Sequence, residues 1–378
     1  MRARGASSLV APLVTILACG GGSGSSNSTP SVCPNASALW AAADYGGSAG
    51  VGSISLTGQL TSVVGRVDLG GDPAMSLSAG RAFYVARDLD AVFELDGCGT
   101  PKQRFSAHLG SHQGTSDPYA VAVAHDGTIW IVLYLAAAVL VLDPDGSVAR
   151  TIDLGAYDSD GNPEASDIVI TDTPAGEKAF VTLDRLNPYP NSVQPSWMLR
   201  IDVPSAKVDE KIVLAGRNPY SMTQDGTALW LAEPGNWDDA AEPDAGIERF
   251  DTSTSSTALV APEARLGGSV EQVAVSGSCG VAIIGDSSPV NATSLVTFDA
   301  STGAPIVTAS RSPLVTAGFD LEGLSWIGED LLVGDRRRAA SGYPIHVFSG
   351  NAACTVMERT NPLFVPMQPV AVCPVPGR

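Results

Sequence analysis

Acidic and amide side chains recur before or at the start of strand-like apolar runs. Carboxylate and amide oxygens are ligands for calcium and for basic groups. Crowded carboxylates raise each other's pKa and stay protonated unless a cation lies among them. If these runs begin around one opening, the sequence predicts a calcium site or a site for a basic ligand there. In the alternative interpretation, Asp-Pro and Asn-Pro pairs simply begin strands and the acids face water. The candidates are Asp72, Asp117, Asp167, Asn218, Glu271 and Glu322.

Two long polar segments, residues 184–197 and 236–246, are candidate recognition loops. Long loops on a rigid scaffold often carry binding residues. Aromatic rings beside amides and acids suit a carbohydrate or a peptide, because they bury area at low entropic cost. Alternatively, the loops only cover one side of a central opening. The candidate contact residues are Tyr189, Trp197, Trp237, Asp238 and Asp239. We expect Arg336, Arg337 and Arg338, in the equivalent loop near the C-terminus, to pair with the acids of these two loops.

A second calcium candidate and the catalytic motifs bear on enzyme function. Asp158, Asp160 and Asn162 place oxygen ligands at alternate positions, as calcium loops do. The glycine comes too early for an EF-hand, and a solvated connector is the alternative interpretation. The chain has no G-x-S-x-G or H-E-x-x-H motif and only four histidines. The sequence therefore favours binding over catalysis.

Internal repeats indicate the elements that position these residues. Residues 117–155 contain four strand-like runs separated by turn residues, and the runs in five further blocks are similar. Residues 38–70 supply three more runs and residues 368–373 a single one. The sequence thus predicts an all-β fold, a seven-bladed β-propeller of four-stranded antiparallel blades. N- and C-terminal strands close the ring in one blade, which removes an open edge. The five blocks are 72–109, 163–215, 218–266, 270–317 and 321–364.

The best repeat copies, PYAVAVAHDG at 118–127 and FYVAR at 83–87, resemble bacterial YVTN-repeat and NHL-like propellers. This resemblance implies a fold and a repeated surface, but no single activity. Propellers similar to gluconolactonases hold one calcium at the channel mouth with Glu, Asp and Asn side chains. By that resemblance, Glu322, Glu271, Asn218 and Asp117 would stand in here, although only one Asn occupies such a position.

Charge and composition exclude some partners. The chain of 378 residues is 44% hydrophobic, which is ample for a packed core. It carries 40 acidic against 22 basic residues and a net charge of −18. Such a surface repels a phosphate backbone, so nucleic acid is excluded as a partner.

The N-terminus predicts export. Residues 1–18 combine basic Arg2 and Arg4 with a short apolar stretch and end in Ile-Leu-Ala before Cys19. They resemble the signal peptide and lipobox of bacterial lipoproteins, which implies lipidation of Cys19. The alternative is an ordinary signal peptide with a chance cysteine. Residues 19–32 are a Gly/Ser-rich tether, and residues 33–378 form a single propeller domain. We expect a monomer in the bacterial cell envelope that meets the membrane only through this lipid.

Six cysteines in an exported chain predict disulfides. Cys33 precedes the first outer strand of the closing blade and Cys373 ends its innermost strand, so we predict a Cys33–Cys373 disulfide. The pairing of Cys98, Cys279 and Cys354 stays open, and their spacing matches no zinc pattern. An aspartate that ends each third run is expected to cap a turn. These aspartates are Asp96, Asp143, Asp202, Asp251 and Asp299.

Together these patterns predict an envelope-anchored binding module. Its ligand would be a protein, a peptide or a glycan, held by the acidic, loop-rich propeller face. The rival is a calcium-dependent lactonase-type hydrolase that uses the mouth of the central channel.

Overall fold

The computed structural model describes residues 33, 35–237, 239, 242–286, 291–351, 353–359 and 361–377, without the side chains of residues 62–64. Residues 1–32, with the predicted signal peptide, tether and Cys19, lie outside the described residues, as does Asp238. The strands form seven antiparallel sheets arranged as the blades of a propeller. We number the blades in chain order.

Blade 1 combines both ends of the chain, in the order β29 (Pro369–Pro374), β1 (Ala38–Ala43), β2 (Ala49–Ile54) and β3 (Leu60–Arg66). Blade 2 consists of β4 (Pro73–Ser78), β5 (Arg81–Ala86), β6 (Ala91–Leu95) and β7 (Pro101–Ser106). Blade 3 consists of β8 (Pro118–Val123), β9 (Ile129–Leu133), β10 (Ala138–Leu142) and β11 (Val148–Asp153). Blade 4 consists of β12 (Ala165–Thr173), β13 (Gly176–Leu183), β14 (Trp197–Asp202) and β15 (Lys207–Val213).

Blade 5 consists of β16 (Ser221–Asp225), β17 (Ala228–Glu233), β18 (Gly246–Asp251) and β19 (Ser256–Pro262). Blade 6 consists of β20 (Ser269–Ser276), β21 (Cys279–Gly285), β22 (Thr293–Asp299) and β23 (Pro305–Val307). Blade 7 consists of β24 (Leu321–Ile327), β25 (Asp330–Asp335), β26 (Tyr343–Ser349) and a divided outer strand, β27 (Met357–Glu358) with β28 (Leu363–Val365).

Helix is confined to short connecting turns. The single α-helical turn of the described chain, α1, spans Glu263–Leu266, and the 3-10 turns span Val67–Leu69, Arg87–Leu89, Gly155–Tyr157 and Ala309–Arg311. None of the helices among the described residues has the length and apolarity needed to cross a membrane.

The ring closes as the repeats predict. Each innermost strand contacts the innermost strand of the next blade, and β24 of blade 7 contacts β29, which in turn contacts β4. Strand β29 pairs with β1, with Leu39 opposite Cys373. The predicted seven-bladed fold and its closure by both chain ends are therefore confirmed.

Burial explains why the middle strands are almost entirely apolar. Strands β9 (IWIVL) and β10 (AVLVL) are buried along their whole length. Neighbouring blades cover both faces of such a strand, so alternation with polar residues disappears. The outermost strand β11 is exposed except at Ile152. This gradient from buried to exposed strands places the core between the blades.

The predicted Cys33–Cys373 disulfide is wrong. Cys33 pairs with Cys98 at a Cα–Cα distance of 5.0 Å, Cys279 pairs with Cys354 at 4.9 Å, and Cys373 is a buried free cysteine. Cys373 lies within the sheet opposite Leu39, whereas Cys33 lies beyond the start of β1. The turn that holds Cys98 packs against the outer part of blade 1, because Thr61 Oγ1 donates to the Cys98 carbonyl. Each disulfide therefore ties two neighbouring blades together.

The aspartates at the ends of the third strands cap turns, as predicted. Asp96 Oδ1 accepts the backbone N–H groups of Cys98 and Thr100 at 2.8 and 2.9 Å. Asp299 Oδ1 accepts those of Ser301 and Thr302 at 2.8 and 3.1 Å. These carboxylates satisfy backbone donors of the turn.

Candidate functional site

The innermost strands all begin at one end of the central channel, which we call the channel mouth. Register shifts near the beginning of β8 and β20 place Tyr119 and Glu271 at β-bulges. A bulge of this kind re-aims side chains and is common beside functional sites. Strand β24 has the same irregularity at Gly323, next to Glu322. The bulges thus lie at the ends of the strands that form the mouth.

Arg87 occupies the mouth together with Asp72. It follows strand β5, its side chain is 1% exposed, and its Nη2 donates to Asp72. The guanidinium lies 4.7 Å from the centre of the Tyr119 ring, which stacks on Tyr134 at 4.3 Å. Arg87 Nε and Nη1 are buried and lack a hydrogen-bond partner.

A second arginine lies beside Glu322. Arg336 Nη1 donates to Glu322 Oε2 at 3.2 Å, so this arginine pairs with an acid of the mouth and not with an acid of the two candidate loops. The Tyr45 hydroxyl donates to the same oxygen at 3.4 Å. The guanidinium lies 4.9 Å from the Tyr45 ring centre and 5.6 Å from that of Phe319. Burial raises the pKa of Glu322 to about 8, although Arg336 acts in the opposite direction.

Glu271 and Asp117 are the other mouth carboxyls. Burial raises the pKa of Glu271 well above its ordinary value, and the nearby charge of Glu322 adds to this. Burial also raises the pKa of Asp117 to about 7, against the influence of Arg87. One oxygen each of Glu271 and Glu322, Oε1, is buried without a hydrogen-bond partner. The mouth therefore combines arginines with carboxyls that hold protons near neutral pH, rather than a bare ring of carboxylates.

Two predicted mouth residues have structural roles instead. Asp167 is buried, and its oxygens accept backbone N–H groups of Ile168 at 2.7 Å and Met222 at 3.0 Å. The second bond joins the innermost strands of blades 4 and 5. Asn218 Nδ2 donates to the Gly235 carbonyl at 2.8 Å. Among the described residues, the hydrogen bonds of these two side chains go to backbone groups and not to the other mouth residues.

The two candidate loops meet. Ser192 N donates to Asn236 Oδ1 at 2.9 Å, and Asn236 Nδ2 donates to the Ser192 carbonyl at 3.3 Å. A cavity of about 500 Å³ lies between the loops, and we call it the loop groove. It is lined by Pro188, Asn191, Val193, Asn236, Asp239 and Glu242.

The predicted loop aromatics differ in accessibility. Tyr189 is 55% exposed. Trp237 packs edge-on against Tyr220 with ring centres 4.7 Å apart. The guanidinium of Arg185 lies 3.5 Å from the centre of the Trp197 ring, so that ring supports the loop. Burial and the charge of Asp117 raise the pKa of Tyr189, which relates the loop to the channel mouth.

The three residues of the second calcium candidate contact different groups. Asp158 lies 3.7 Å from Arg185 Nε, Asp160 Oδ1 accepts the Asn162 backbone N–H, and Asn162 Nδ2 donates to Glu164. Asp158 Oδ2 and Asn162 Oδ1 are buried without a hydrogen-bond partner. Across the described part of the chain, no group of three or more His, Cys, Asp or Glu side chains is arranged to hold a metal ion. Calcium at this loop or at the mouth stays a prediction.

Sequence reasoning missed Arg87 and the tyrosines of the mouth. A pattern in the sequence points to the arginine, because Arg87 and Arg336 directly follow a second strand and Arg185 lies two residues after one. The three positions have different surroundings, however. Arg185 donates to loop oxygens of Tyr157 and Pro195, whereas the other two face carboxyls of the mouth.

Comparison with solved structures supports the fold. A proposed 6-phosphogluconolactonase from Bacteroides uniformis aligns with a TM-score of 0.53 and 13% identity, over 89% of this chain and 98% of that one. Virginiamycin B lyase from Staphylococcus aureus aligns with a TM-score of 0.51 and 13% identity, over 81% and 94%. The computationally designed Ika8 protein gives 0.51 and 13%, over 90% and 91%. No protein-family model and no curated protein sequence matches the chain.

The chain is therefore a seven-bladed β-propeller of four-stranded antiparallel blades. Its structural neighbours include propellers of the lactonase and streptogramin lyase kind. At this level of identity the likeness concerns the fold alone.

Proposed function

We propose that this chain is a lipid-anchored binding module of a bacterial cell envelope, and that it binds a protein, peptide or glycan at the loop groove. The observation that carries the proposal is the contact between two insertions of neighbouring blades, Ser192 with Asn236, beside a cavity of about 500 Å³. The basic start of the chain, Cys19 and the Gly/Ser-rich segment support export and anchoring.

The chemistry of the groove supports a ligand with both apolar and polar groups. Val193 is 60% exposed and Tyr189 is 55% exposed, so both offer area to a partner. Val193 and Asn191 line the cavity, where Asn191 provides hydrogen-bonding groups, and Tyr189 lies between the lining residues Pro188 and Asn191 in the same loop. Tyrosine buries a large rigid area at low entropic cost, and side-chain amides suit peptide and sugar groups equally. The net charge of −18 favours basic ligands.

The test is selection of a ligand, followed by measurement of its Kd for alanine variants of groove-loop residues and of a control valine. The purified chain is screened against a random peptide library and a glycan array, and the selected ligand is titrated by calorimetry. Val193→Ala and Tyr189→Ala should each raise the Kd at least tenfold, or about 1.4 kcal/mol. Val148→Ala is the control, because Val148 is 63% exposed on the outermost strand of blade 3. Equal loss in all three variants, or no selected ligand at all, would refute the proposal. A basic ligand should also bind less tightly at higher salt.

Lactonase-type hydrolysis at the channel mouth is a second candidate function, in its calcium-dependent form. The observation in its favour is that the buried Glu271 and Glu322 each have an unpartnered Oε1 and a raised pKa. A carboxyl that keeps its proton near neutral pH is suited to general acid catalysis.

The hydrolase candidate is tested with lactones and calcium. We expect hydrolysis of an aldonolactone to be abolished in Glu322→Gln, because the amide cannot donate a proton as an acid does. Stability should stay nearly unchanged, since the amide has the shape of the neutral carboxyl. A calcium titration of the melting temperature should show a stoichiometric rise if the ion binds. Lactone turnover that survives in both Glu322→Gln and Glu271→Gln, or that is absent from the wild-type chain with and without calcium, would rule this candidate out.

A further inference from the structure

The channel mouth has more hydrogen-bonding capacity than the protein itself uses. Two guanidiniums and two carboxyls lie there, and Arg87 Nε, Arg87 Nη1, Glu271 Oε1 and Glu322 Oε1 are all buried without a partner. A buried polar group that is left unpaired loses its hydration without compensation and destabilises the fold. Four such atoms at one end of the channel indicate that something else satisfies them.

The two arginines face a common space. Both guanidiniums lower the pKa of Glu322 electrostatically, and Glu322 in turn influences Glu271 and Tyr220. Arg87 belongs to blade 2 and Arg336 to blade 7, so they flank Tyr45 of blade 1, on which Arg336 stacks. The groups therefore belong to one site and not to separate blade interfaces.

Both guanidiniums are held rigidly. Arg87 lies over Tyr119 and is tied to Asp72, and Arg336 lies over Tyr45 and Phe319. A planar guanidinium fixed by aromatic rings presents its remaining N–H donors in a geometry that matches the two oxygens of a carboxylate.

The charges at the mouth also favour an anionic ligand. The charge of Arg87 is balanced by Asp72. Arg336 is paired with Glu322, a carboxyl that is 1% exposed and whose pKa burial raises to about 8, and the more distant Asp320 also acts on this arginine. A guanidinium whose hydrogen-bonded carboxyl keeps its proton near neutral pH retains positive charge for an anion.

We propose that the channel mouth binds a small carboxylate-bearing molecule between Arg87 and Arg336, with Glu271 and Glu322 donating hydrogen bonds to its remaining oxygens. This site is distinct from the loop groove. A ligand there would occupy the end of the channel beneath the loops.

The experiment uses succinate as the probe and the melting temperature and calorimetric Kd of the full chain as readouts, at constant ionic strength. Succinate should raise the melting temperature of the wild-type chain where equal sodium chloride does not. Arg336→Gln and the milder Arg336→Lys should weaken succinate binding at least tenfold, because a lysine keeps the charge but loses the planar fork. Arg338→Gln, an exposed change in the same loop, should leave the Kd unchanged.

Three results would overturn the proposal. They are no rise in the melting temperature of the wild-type chain with succinate, a rise with inorganic phosphate but not with succinate, and a loss of binding in Arg338→Gln as large as in Arg336→Gln. The circular dichroism spectrum of Arg336→Lys is compared with that of the wild-type chain, so that weaker succinate binding is not mistaken for loss of the fold. Tyr189→Ala should retain succinate binding, which separates this site from the loop groove.

Discussion

At the scale of single residues, the buried carboxyl pair Glu233 and Glu248 is the clearest example of coupled acids. Both side chains are fully buried, and Glu248 Oε2 accepts the Gly216 backbone N–H at 2.7 Å. A Cβ atom at Gly216 would lie 1.7 Å from Glu233 Oε2, so only glycine leaves room for this carboxyl. Burial and the charge of Glu248 raise the pKa of Glu233 well above its ordinary value. Two carboxyls in this arrangement share a proton.

This pair should make the folded protein less stable as the pH rises. The folded chain holds a proton that the unfolded chain releases near pH 4.5, the ordinary glutamate value. The stabilisation is therefore complete below that pH and is lost as the pH rises towards the raised pKa of the pair. One proton corresponds to a slope of about 1.4 kcal/mol per pH unit. Glu233→Gln supplies a permanent donor to Glu248, so we expect its unfolding free energy to fall less steeply between pH 5 and pH 8.

Urea unfolding at several pH values measures this slope. Glu329→Gln is the control, because Glu329 is an exposed glutamate outside the pair. If Glu233→Gln and the wild-type chain show parallel curves, the shared proton does not contribute and the idea fails.

Residue types predicted the participation of some site residues but not their roles. Asp72, Glu271 and Glu322 were candidates because each lies just before or near the start of an innermost strand. Asp167 occupies a similar sequence position, yet its oxygens bond to two backbone N–H groups in the channel wall. The strand of Asp167 is bulged as well, but Asp167 follows its bulged residue, whereas Glu271 is the bulged residue and Glu322 precedes it. The direction of the side chain depends on this position relative to the bulge, which no local sequence pattern specifies.

At the scale of elements, polar side chains connect neighbouring blades through their innermost strands. Ser76 Oγ accepts the Val121 N–H at 3.0 Å, and Gln272 Oε1 accepts the Leu324 N–H at 3.0 Å. Innermost strands of different blades are too far apart for a ladder of backbone bonds, so side chains satisfy these buried donors. The wall of the channel is thus held by polar bonds, and the space between blades by apolar packing.

The disulfides follow the same principle of joining neighbours. Cys33–Cys98 links blades 1 and 2, and Cys279–Cys354 links blades 6 and 7. Sequence spacing could place Cys33 and Cys373 in one blade, but it could not give the direction in which the chain leaves the start of β1. Disulfides require Cα atoms within about 7 Å, and the packing of the turn containing Cys98 brings this cysteine to 5.0 Å from Cys33.

At the scale of the whole molecule, the repeats were sufficient to predict the number of blades and the closure of the ring. Alternating apolar runs and Asp-Gly turns are local patterns, and seven copies leave few other ways to bury the middle strands. The contact between Ser192 and Asn236 could not be predicted in the same way. It depends on how two loops from neighbouring blades pack against each other, which is a tertiary property.

Ring closure gives the last prediction, because strand β29 brings the C-terminal end of the chain into blade 1. Val370, Ala371, Val372 and Cys373 are at most 1% exposed. Deleting residues 366–378 removes this strand, leaves an edge of β1 unpaired and uncovers parts of blades 2 and 7. The lost burial is comparable with the whole stability of a domain, about 5–15 kcal/mol, so we expect no cooperative thermal unfolding and aggregation through the open edge. A synthetic peptide of residues 366–377 should restore a cooperative transition, and deletion of residues 376–378 is the control. A shortened chain that melts cooperatively at the wild-type temperature without the peptide would show that the closing strand does not hold the ring together.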